Sequence, residues 1–164
     1  MTKTQVYLGI GSNIDRETNI RDGLKELQKR FGDLTISPIY ETEAFGFVGD
    51  DFYNLVVGLK TELAIEDLAK QLRDIEFQSG RCRNETRYSS RTLDVDLLLF
   101  ANEIYEKHHV PRSDIMEFGF VLKPLCDIEP ELKHPVTGET MSKLWEMFDS
   151  SREVMRKIPQ SFDL

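Results

Sequence analysis

The sequence is poor in the residues that build several common kinds of site. Its 164 residues include only two cysteines, Cys82 and Cys126, which form neither a metal-ligand spacing nor a redox motif. Such cysteine usage is typical of a reducing, cytoplasmic compartment. The three histidines, His108, His109 and His134, are not at metal-ligand spacings either. A zinc site is therefore not expected.

Long apolar runs and an excess of basic residues are also missing. No run of eighteen apolar residues occurs, and the first residues lead into a strand without the apolar core of a signal peptide, so we expect no membrane association. Acidic residues outnumber basic ones by 29 to 21, a net charge of −8, which argues against a nucleic-acid partner. We expect a monomer with one globular domain over 1–164.

Hydrophobic periodicity predicts the order β-α-β-β-α-β, followed by further short elements. This is a ferredoxin-like split βαβ arrangement of the α+β class, a mostly antiparallel sheet with helices packed on one face. Pro38 predicts an edge or a bulge in the second strand. A tail, 150–164, has no firm pattern and is expected to be loosely held. The predicted strands are 6–10, 34–40, 52–59 and 93–100, with a hairpin from 101–102 into 104–105, and the predicted helices are 20–31, 65–75, 115–125 and 141–148.

The most informative stretch joins a basic segment to the acidic start of a strand. The segment 81–91 has four arginines and one glutamate, a local charge of +3 inside an acidic chain. Asp94 and Asp96 follow, and alternate residues of a strand share a face, roughly 7 Å apart. Two such carboxylates favour a bound cation, and hard oxygen ligands with open positions suit magnesium. Arginines nearby would bind phosphate oxygens, so the pattern indicates a protein that handles polyphosphate.

Each part of this pattern also has a purely structural interpretation. A D-x-D at the head of a strand is often a pair of solvated turn residues, and clustered arginines often form a solvated surface. The direct join between the two favours a functional site. By residue type alone, Phe52 and Phe120 are ordinary core residues. Gly11, Ser12 and Asn13 are interpreted as a strand-to-helix turn with a helix cap.

Short segments spread over roughly 6–144 resemble the 6-hydroxymethyl-7,8-dihydropterin pyrophosphokinase family in their order and spacing. The resemblance implies a one-step transfer of diphosphate from ATP to the pterin hydroxymethyl group in folate biosynthesis, with release of AMP. The segments are Gly-Ser-Asn at 11–13, Tyr-Glu-Thr at 40–42, Phe-Tyr-Asn at 52–54, Ile-Glu at 75–76, Gly-Arg-Cys-Arg at 80–83, Arg-Thr-Leu-Asp-Val-Asp at 91–96, Phe-Val-Leu-Lys-Pro-Leu at 120–125 and His-Pro-Val-Thr-Gly at 134–138.

The resemblance implies a set of residues for the nucleotide. Asp94 and Asp96 would hold two magnesium ions that bridge the ATP phosphates. Arg81 and Arg91 would act as catalytic residues that bind the transferring and leaving phosphates. The other implied ATP contacts are Glu76, Arg83, Tyr88 and Arg112.

The resemblance also implies a set of residues for the pterin. The ring system would lie between Phe52 and Phe120, which exploits stacking and apolar area. Asn54 would bind the pterin edge with its amide, assisted by Thr42 and by the backbone near Phe45. An asparagine buried in an otherwise apolar strand needs hydrogen-bond partners, and a ligand could supply them.

The sequence departs from the family pattern mainly on the nucleotide side. Arg112 stands where a histidine is usual and Phe118 where an arginine is usual, so a positive charge is either lost or relocated. Smaller departures are Tyr88 for tryptophan, Ser89 for a glycine-like residue and Ala44 for proline. They leave open a divergent paralogue that binds pterin, or uses another nucleotide or substrate, with low pyrophosphokinase activity. A metal-dependent nucleotidyltransferase is disfavoured, because its Gly-Ser turn would lie close before the aspartates.

Overall fold

A computed structural model of the chain describes residues 2–43, 51–79, 93–159, 162 and 164. Two 3-10 turns, Glu106–His108 and Ser150–Arg152, accompany the regular elements. No helix in these ranges is both long and apolar enough to cross a membrane. In chain order the elements are β1 (Thr4–Ser12), α1 (Arg16–Phe31), β2 (Thr35–Ile36), β3 (Ile39–Thr42), β4 (Phe52–Thr61), α2 (Ile65–Gln78), β5 (Asp94–Phe100), α3 (Asp114–Glu117), α4 (Gly119–Ile128), α5 (Met141–Met147) and β6 (Met155–Ile158).

The strands form one sheet in the order β5-β1-β4-β3-β6, with β2 also paired to β4. Every pairing between the described strands is antiparallel. The predicted second strand becomes β2 and β3, because Pro38 has no N–H to donate to the ladder. Ser37 at this break keeps contact with β4, since its hydroxyl accepts a hydrogen bond from the Val56 N–H at 2.8 Å.

The core lies on both sides of the sheet, because side chains along the central strand β4 alternate between two buried clusters. Leu55 and Val57 join the cluster formed with α1 and α2, whereas Val56 joins the cluster formed with α3, α4 and α5. The predicted α+β class is confirmed, and the element order agrees with the prediction except that the second strand is divided into β2 and β3. The expectation that the helices pack on one face is wrong, because the C-terminal helices cover the second face.

The region after β5 differs most from the sequence pattern. The predicted helix 115–125 is two helices, α3 and α4, because Phe118 between them has extended backbone angles, with φ −125° and ψ 125°. The predicted hairpin is a turn followed by a single bridge between Tyr105 and Val110. The tail contains β6, which pairs with β3 along its whole length. Main-chain pairing gives this part of the tail an ordered place in the sheet.

Candidate active site

One row of residues crosses four neighbouring strands near the end of β1. Asp94 on β5 lies opposite Gly11 on β1, which lies opposite Asn54 on β4, which in turn lies opposite Tyr40 on β3. Residues directly opposite in an antiparallel sheet project to the same face. Asn54 is two residues before Val56 of the α4-side cluster, so the row lies on the face that carries α4. The predicted metal pair and the predicted pterin contacts are therefore neighbours on one face.

Gly11 lies at the centre of this row. A Cβ atom at this position would be 3.1 Å from Asn54 Oδ1 and 3.8 Å from Cδ1 of Phe52. The missing side chain therefore leaves room for the amide and the ring to approach β1. Gly11 and Ser12 belong to β1 itself, and α1 begins after Asp15, whose side chain makes no cap hydrogen bond. The interpretation of this segment as a capped turn is corrected accordingly.

Asp94 and Asp96 alternate along β5 with buried residues and are both half-buried. The strand between them is held by α2, because the N–H of Val95 donates to Glu76 Oε2 at 2.9 Å. β5 lies at one end of the strand order, so an N–H on its outer side needs a partner from outside the sheet. Glu76, a buried carboxylate, supplies that partner. It therefore fixes the backbone that carries the two aspartates.

A positive charge lies beside this pair. Arg112 is anchored by its own N–H, which donates to the Leu98 carbonyl at 3.0 Å. Its Nη2 lies 3.9 Å from Asp96 Oδ1, and its Nε lies 3.1 Å from Asp114 Oδ2. Burial opposes the charge on Arg112, but the negative charges of Asp96 and Asp114 outweigh burial, so its pKa is raised. The guanidinium thus stays charged next to the predicted metal pair.

The predicted pterin contacts on β3 and β4 are directly connected to one another. Asn54 is buried, and its Nδ2 donates to Thr42 Oγ1 at 2.8 Å. Phe52 lies directly opposite Thr42 in the ladder and is half-buried. The hydrogen bond fixes the orientation of the Asn54 amide, with its oxygen facing the backbone position of Gly11.

Phe120 comes from the second residue of α4 and carries an aromatic neighbour. Its ring stacks on Phe118, with the ring centroids 5.0 Å apart and the planes at 25°. Both rings pack against the core cluster on this face. Phe118, at the position where the family usually has an arginine, therefore supports an aromatic ring.

Two arginines that the sequence did not single out bind Glu41, the residue before Thr42. Arg16 Nη2 lies 2.8 Å from Glu41 Oε2, and Arg156 of β6 pairs with Oε1. The hydrogen bond from Arg156, with the charges of both arginines, lowers the pKa of Glu41. Arg156 is 115 positions away in sequence, and no local pattern could have indicated the contact.

Five of the predicted site residues lie outside the described part of the chain. Their predicted roles rest on the sequence alone. They are Phe45, Arg81, Arg83, Tyr88 and Arg91, and the departures at Ala44 and Ser89 lie outside it as well.

Comparison with known proteins identifies close sequence relatives. The family profile described as 7,8-dihydro-6-hydroxymethylpterin-pyrophosphokinase (HPPK) matches residues 7–130. A protein of Aquifex aeolicus named 2-amino-4-hydroxy-6-hydroxymethyldihydropteridine pyrophosphokinase is 33% identical over 135 residues, which is 80% of this chain and 84% of that protein. A Porphyromonas gingivalis protein of the same name is 38% identical over 140 residues, 79% of this chain and 93% of that protein.

Solved structures share the fold at lower identity. The Plasmodium falciparum HPPK-DHPS wild type with STZ-DHP matches with a TM-score of 0.70 and 16% identity, over 92% of this chain. The match covers 42% of that longer chain, so the likeness concerns one part of it and supports the fold alone. Because the profile covers well over half of the sequence, and relatives above 30% identity align over most of their own length, this chain belongs to the 7,8-dihydro-6-hydroxymethylpterin-pyrophosphokinase family.

Proposed function

We propose that this chain transfers diphosphate from ATP to 6-hydroxymethyl-7,8-dihydropterin and releases AMP, as a step of folate biosynthesis. Family membership makes it an ATP-dependent diphosphotransferase. The residue-level proposal rests on the row of Asp94, Gly11 and Asn54 across adjacent strands. In this proposal, the row would place a site for phosphate charge next to a site for a flat heterocycle. The comparisons give no support to a divergent paralogue with another substrate.

Asp94 and Asp96 fit a magnesium site. Magnesium is usually bound through one or two carboxylates, completed by substrate phosphates and water. The described residues contain no group of three or more histidine, cysteine or acidic side chains placed to hold an ion. A site formed by this pair would therefore need substrate phosphates and water as further ligands. We propose two ions between this pair and the nucleotide. Bound magnesium would orient the polyphosphate and offset the charge that develops around the attacked phosphorus.

Residues beside the pair would hold the nucleotide. Arg112 has a permanent charge close to Asp96 and would bind a phosphate or the ribose once cations occupy the carboxylates. Glu76 was predicted to face the nucleotide, and its hydrogen bond to Val95 gives it a further role in positioning the two aspartates. The remaining contacts proposed from the sequence are Arg81 and Arg91 on the transferring and leaving phosphates, and Arg83 and Tyr88 on ATP.

The pterin would be held by stacking and by one prearranged amide. Phe52 and Phe120 offer half-exposed rings on the same sheet face. Asn54 donates to Thr42, so its oxygen is placed to accept from an N–H of the pterin edge. The ring would then bring its hydroxymethyl oxygen towards the phosphates that the aspartates and arginines hold. Proximity and orientation of the two reactants would supply much of the rate enhancement.

The direct test is an assay of the purified chain with ATP, magnesium and 6-hydroxymethyl-7,8-dihydropterin. We expect one AMP for each pterin diphosphate formed, and no AMP when the pterin is omitted. Formation of ADP would contradict diphosphate transfer. Pterin binding without AMP release would favour the divergent alternative. We also propose that the active species is a monomer, which light scattering of the same preparation tests.

A further inference from the structure

The N-terminus of α4 is capped from the far end of the chain. Phe118, its N-cap residue, offers no side-chain hydrogen bond. Instead, Glu153 Oε2 accepts from the Gly119 N–H at 2.6 Å, and its Oε1 accepts from the Phe120 N–H at 3.3 Å. The first N–H groups of a helix lack partners within the helix, and a carboxylate there also interacts favourably with the helix dipole. Both oxygens of one side chain thus bind the turn that carries Phe120.

Gly119 makes this contact possible. A Cβ atom at this position would lie 3.0 Å from Glu153 Oε2 and 3.2 Å from Cε1 of Phe148. Both neighbours would have to shift slightly to admit a side chain. The capping carboxylate therefore packs closely against the position of Gly119, directly before Phe120, and a side chain there would push against it.

The capping carboxylate is itself held by ordered backbone on both sides. Before it, the Asp149 side chain caps the 3-10 turn Ser150–Arg152 by accepting from the Ser151 N–H at 3.1 Å. After it, β6 pairs with β3 and places Met155 opposite Thr42. The tail thus contacts two of the three elements that carry the proposed pterin residues, namely β3 with Thr42 and α4 with Phe120. The family profile ends at residue 130, so Glu153 lies outside the matched range, whereas the turn that it caps lies inside it.

We propose that Glu153 is a positioning residue for the pterin: it fixes the first turn of α4 and thereby the direction of the Phe120 ring. The inference rests on the proposed function, because it takes Phe120 as the stacking residue. The ring sits one residue into the helix and packs on Phe118, so its placement depends on the backbone at 118–120. Loss of the cap would let this backbone move without altering any group that contacts the nucleotide.

The test compares three variants by titration with pterin in the presence of magnesium and a non-hydrolysable ATP analogue. Glu153→Ala removes both contacts, and we expect the pterin Kd to rise about fivefold, which is the stability cost of losing a helix cap expressed as a change in affinity. Glu153→Gln retains one acceptor oxygen, so a smaller rise is expected. The Kd of the nucleotide analogue, titrated alone, should not change. Glu146→Ala is the matched control, because that carboxylate on α5 is exposed and its Oε2 lies 4.0 Å from Lys143 Nζ, at the limit of an ion pair.

A second variant tests the same contact from the other side. Gly119→Ala should weaken pterin binding by a similar factor. Combined with Glu153→Ala, the loss should be smaller than the sum of the two single losses, because the two changes share the contact between Gly119 and Glu153, while the approach to Phe148 belongs to Gly119→Ala alone. The inference would be overturned if Glu153→Ala bound the pterin as tightly as the wild type, or if this variant lost pterin and nucleotide affinity equally. The proposed function would still stand in either case, provided that the wild type binds the pterin. A wild-type chain that binds no pterin would overturn both.

Discussion

The pterin side and the phosphate side of this site are held by different kinds of interaction. On the pterin side, a direct hydrogen bond joins Asn54 to Thr42, and Phe120 rests on a second aromatic ring. On the phosphate side, the hydrogen bond from Val95 to Glu76 fixes the backbone, but the charged side chains pair loosely, with Arg112 Nη2 3.9 Å from Asp96 Oδ1. Neutral contacts of the first kind fix the positions of the pterin-binding side chains in the absence of ligand. Charges of the second kind are rearranged by whatever ions bind, so the two sides should respond differently to substitution.

The largest effect is expected from neutralising the metal pair. Asp94→Asn or Asp96→Asn keeps the side-chain shape and removes a charge that would hold magnesium. Turnover should fall by at least about a hundredfold, as for loss of one preorganised electrostatic contact. Steady-state AMP release measures this, with the exposed Asp33→Asn at the opposite end of the sheet as the control. Near-normal turnover in either variant would contradict the metal assignment. The affinity for the pterin, measured in the absence of nucleotide, should equal that of the wild type.

The next effect concerns the arginine beside that pair. Arg112→Ala should weaken binding of a non-hydrolysable ATP analogue in magnesium by roughly ten- to a hundredfold, since a charge-assisted contact contributes about 1.5–3 kcal/mol. Titration calorimetry measures this change. Arg30→Ala, which removes a remote ion pair to Glu26 on α1, is the matched control. If Arg112→Ala binds the analogue normally, the charge missing at Phe118 has not been relocated here.

On the pterin side, Asn54→Ala should raise the pterin Kd roughly tenfold, because a buried amide that binds the ligand edge is lost. Nucleotide affinity should stay constant, which separates this variant from those on the phosphate side. Thr42→Val serves as the graded comparison, since it keeps the Asn54 amide and removes the hydroxyl that orients it and that is proposed to assist pterin binding. Fluorescence titration with the pterin measures both. An equal loss of nucleotide affinity would show that the two sides are not independent.

The smallest effect is expected for Phe118→Arg, which should change both nucleotide affinity and pterin affinity. From the sequence alone, this change should only strengthen nucleotide binding. The structure adds a loss, because Phe118 stacks on Phe120 and packs against the core. We therefore expect the analogue to bind about threefold more tightly and the pterin about threefold more weakly, since an aromatic pair contributes about 0.5–1.5 kcal/mol. Parallel titrations decide this, and tighter analogue binding with unchanged pterin affinity would show that the aromatic support is dispensable.

The elements that bury one face against a neighbour were predictable. Leu68, Leu72 and Ile75 mark α2 by spacing alone, and all three are buried. The Asp94 and Asp96 pair is similarly visible, because alternation along a strand is a local property. β6, by contrast, was not predicted. It has two exposed residues between two half-buried ones, and its position depends on main-chain pairing with β3, which produces no hydrophobic pattern in the sequence.

The parts of the site that escaped prediction depend on contacts between distant residues. Glu153 is 34 positions from Gly119, and an isolated glutamate in a polar tail resembles any solvated one. Gly11 has its place between Asn54 and Asp94 only because three strands align there in register. Such a register is a consequence of the whole sheet, so a short motif around Gly11 could not reveal it.

The position of β6 has a consequence for preparing shortened versions of this protein. A recombinant fragment cut at residue 130, where the family profile ends, would lose the strand that covers the outer edge of β3. The main-chain groups of Ile39–Thr42 that now bond to Met155–Ile158 would face water or another molecule. Uncovered strand edges recruit further strands, so such a fragment should self-associate as its concentration rises. The end of the family profile would thus place the boundary of the smallest well-behaved unit too early.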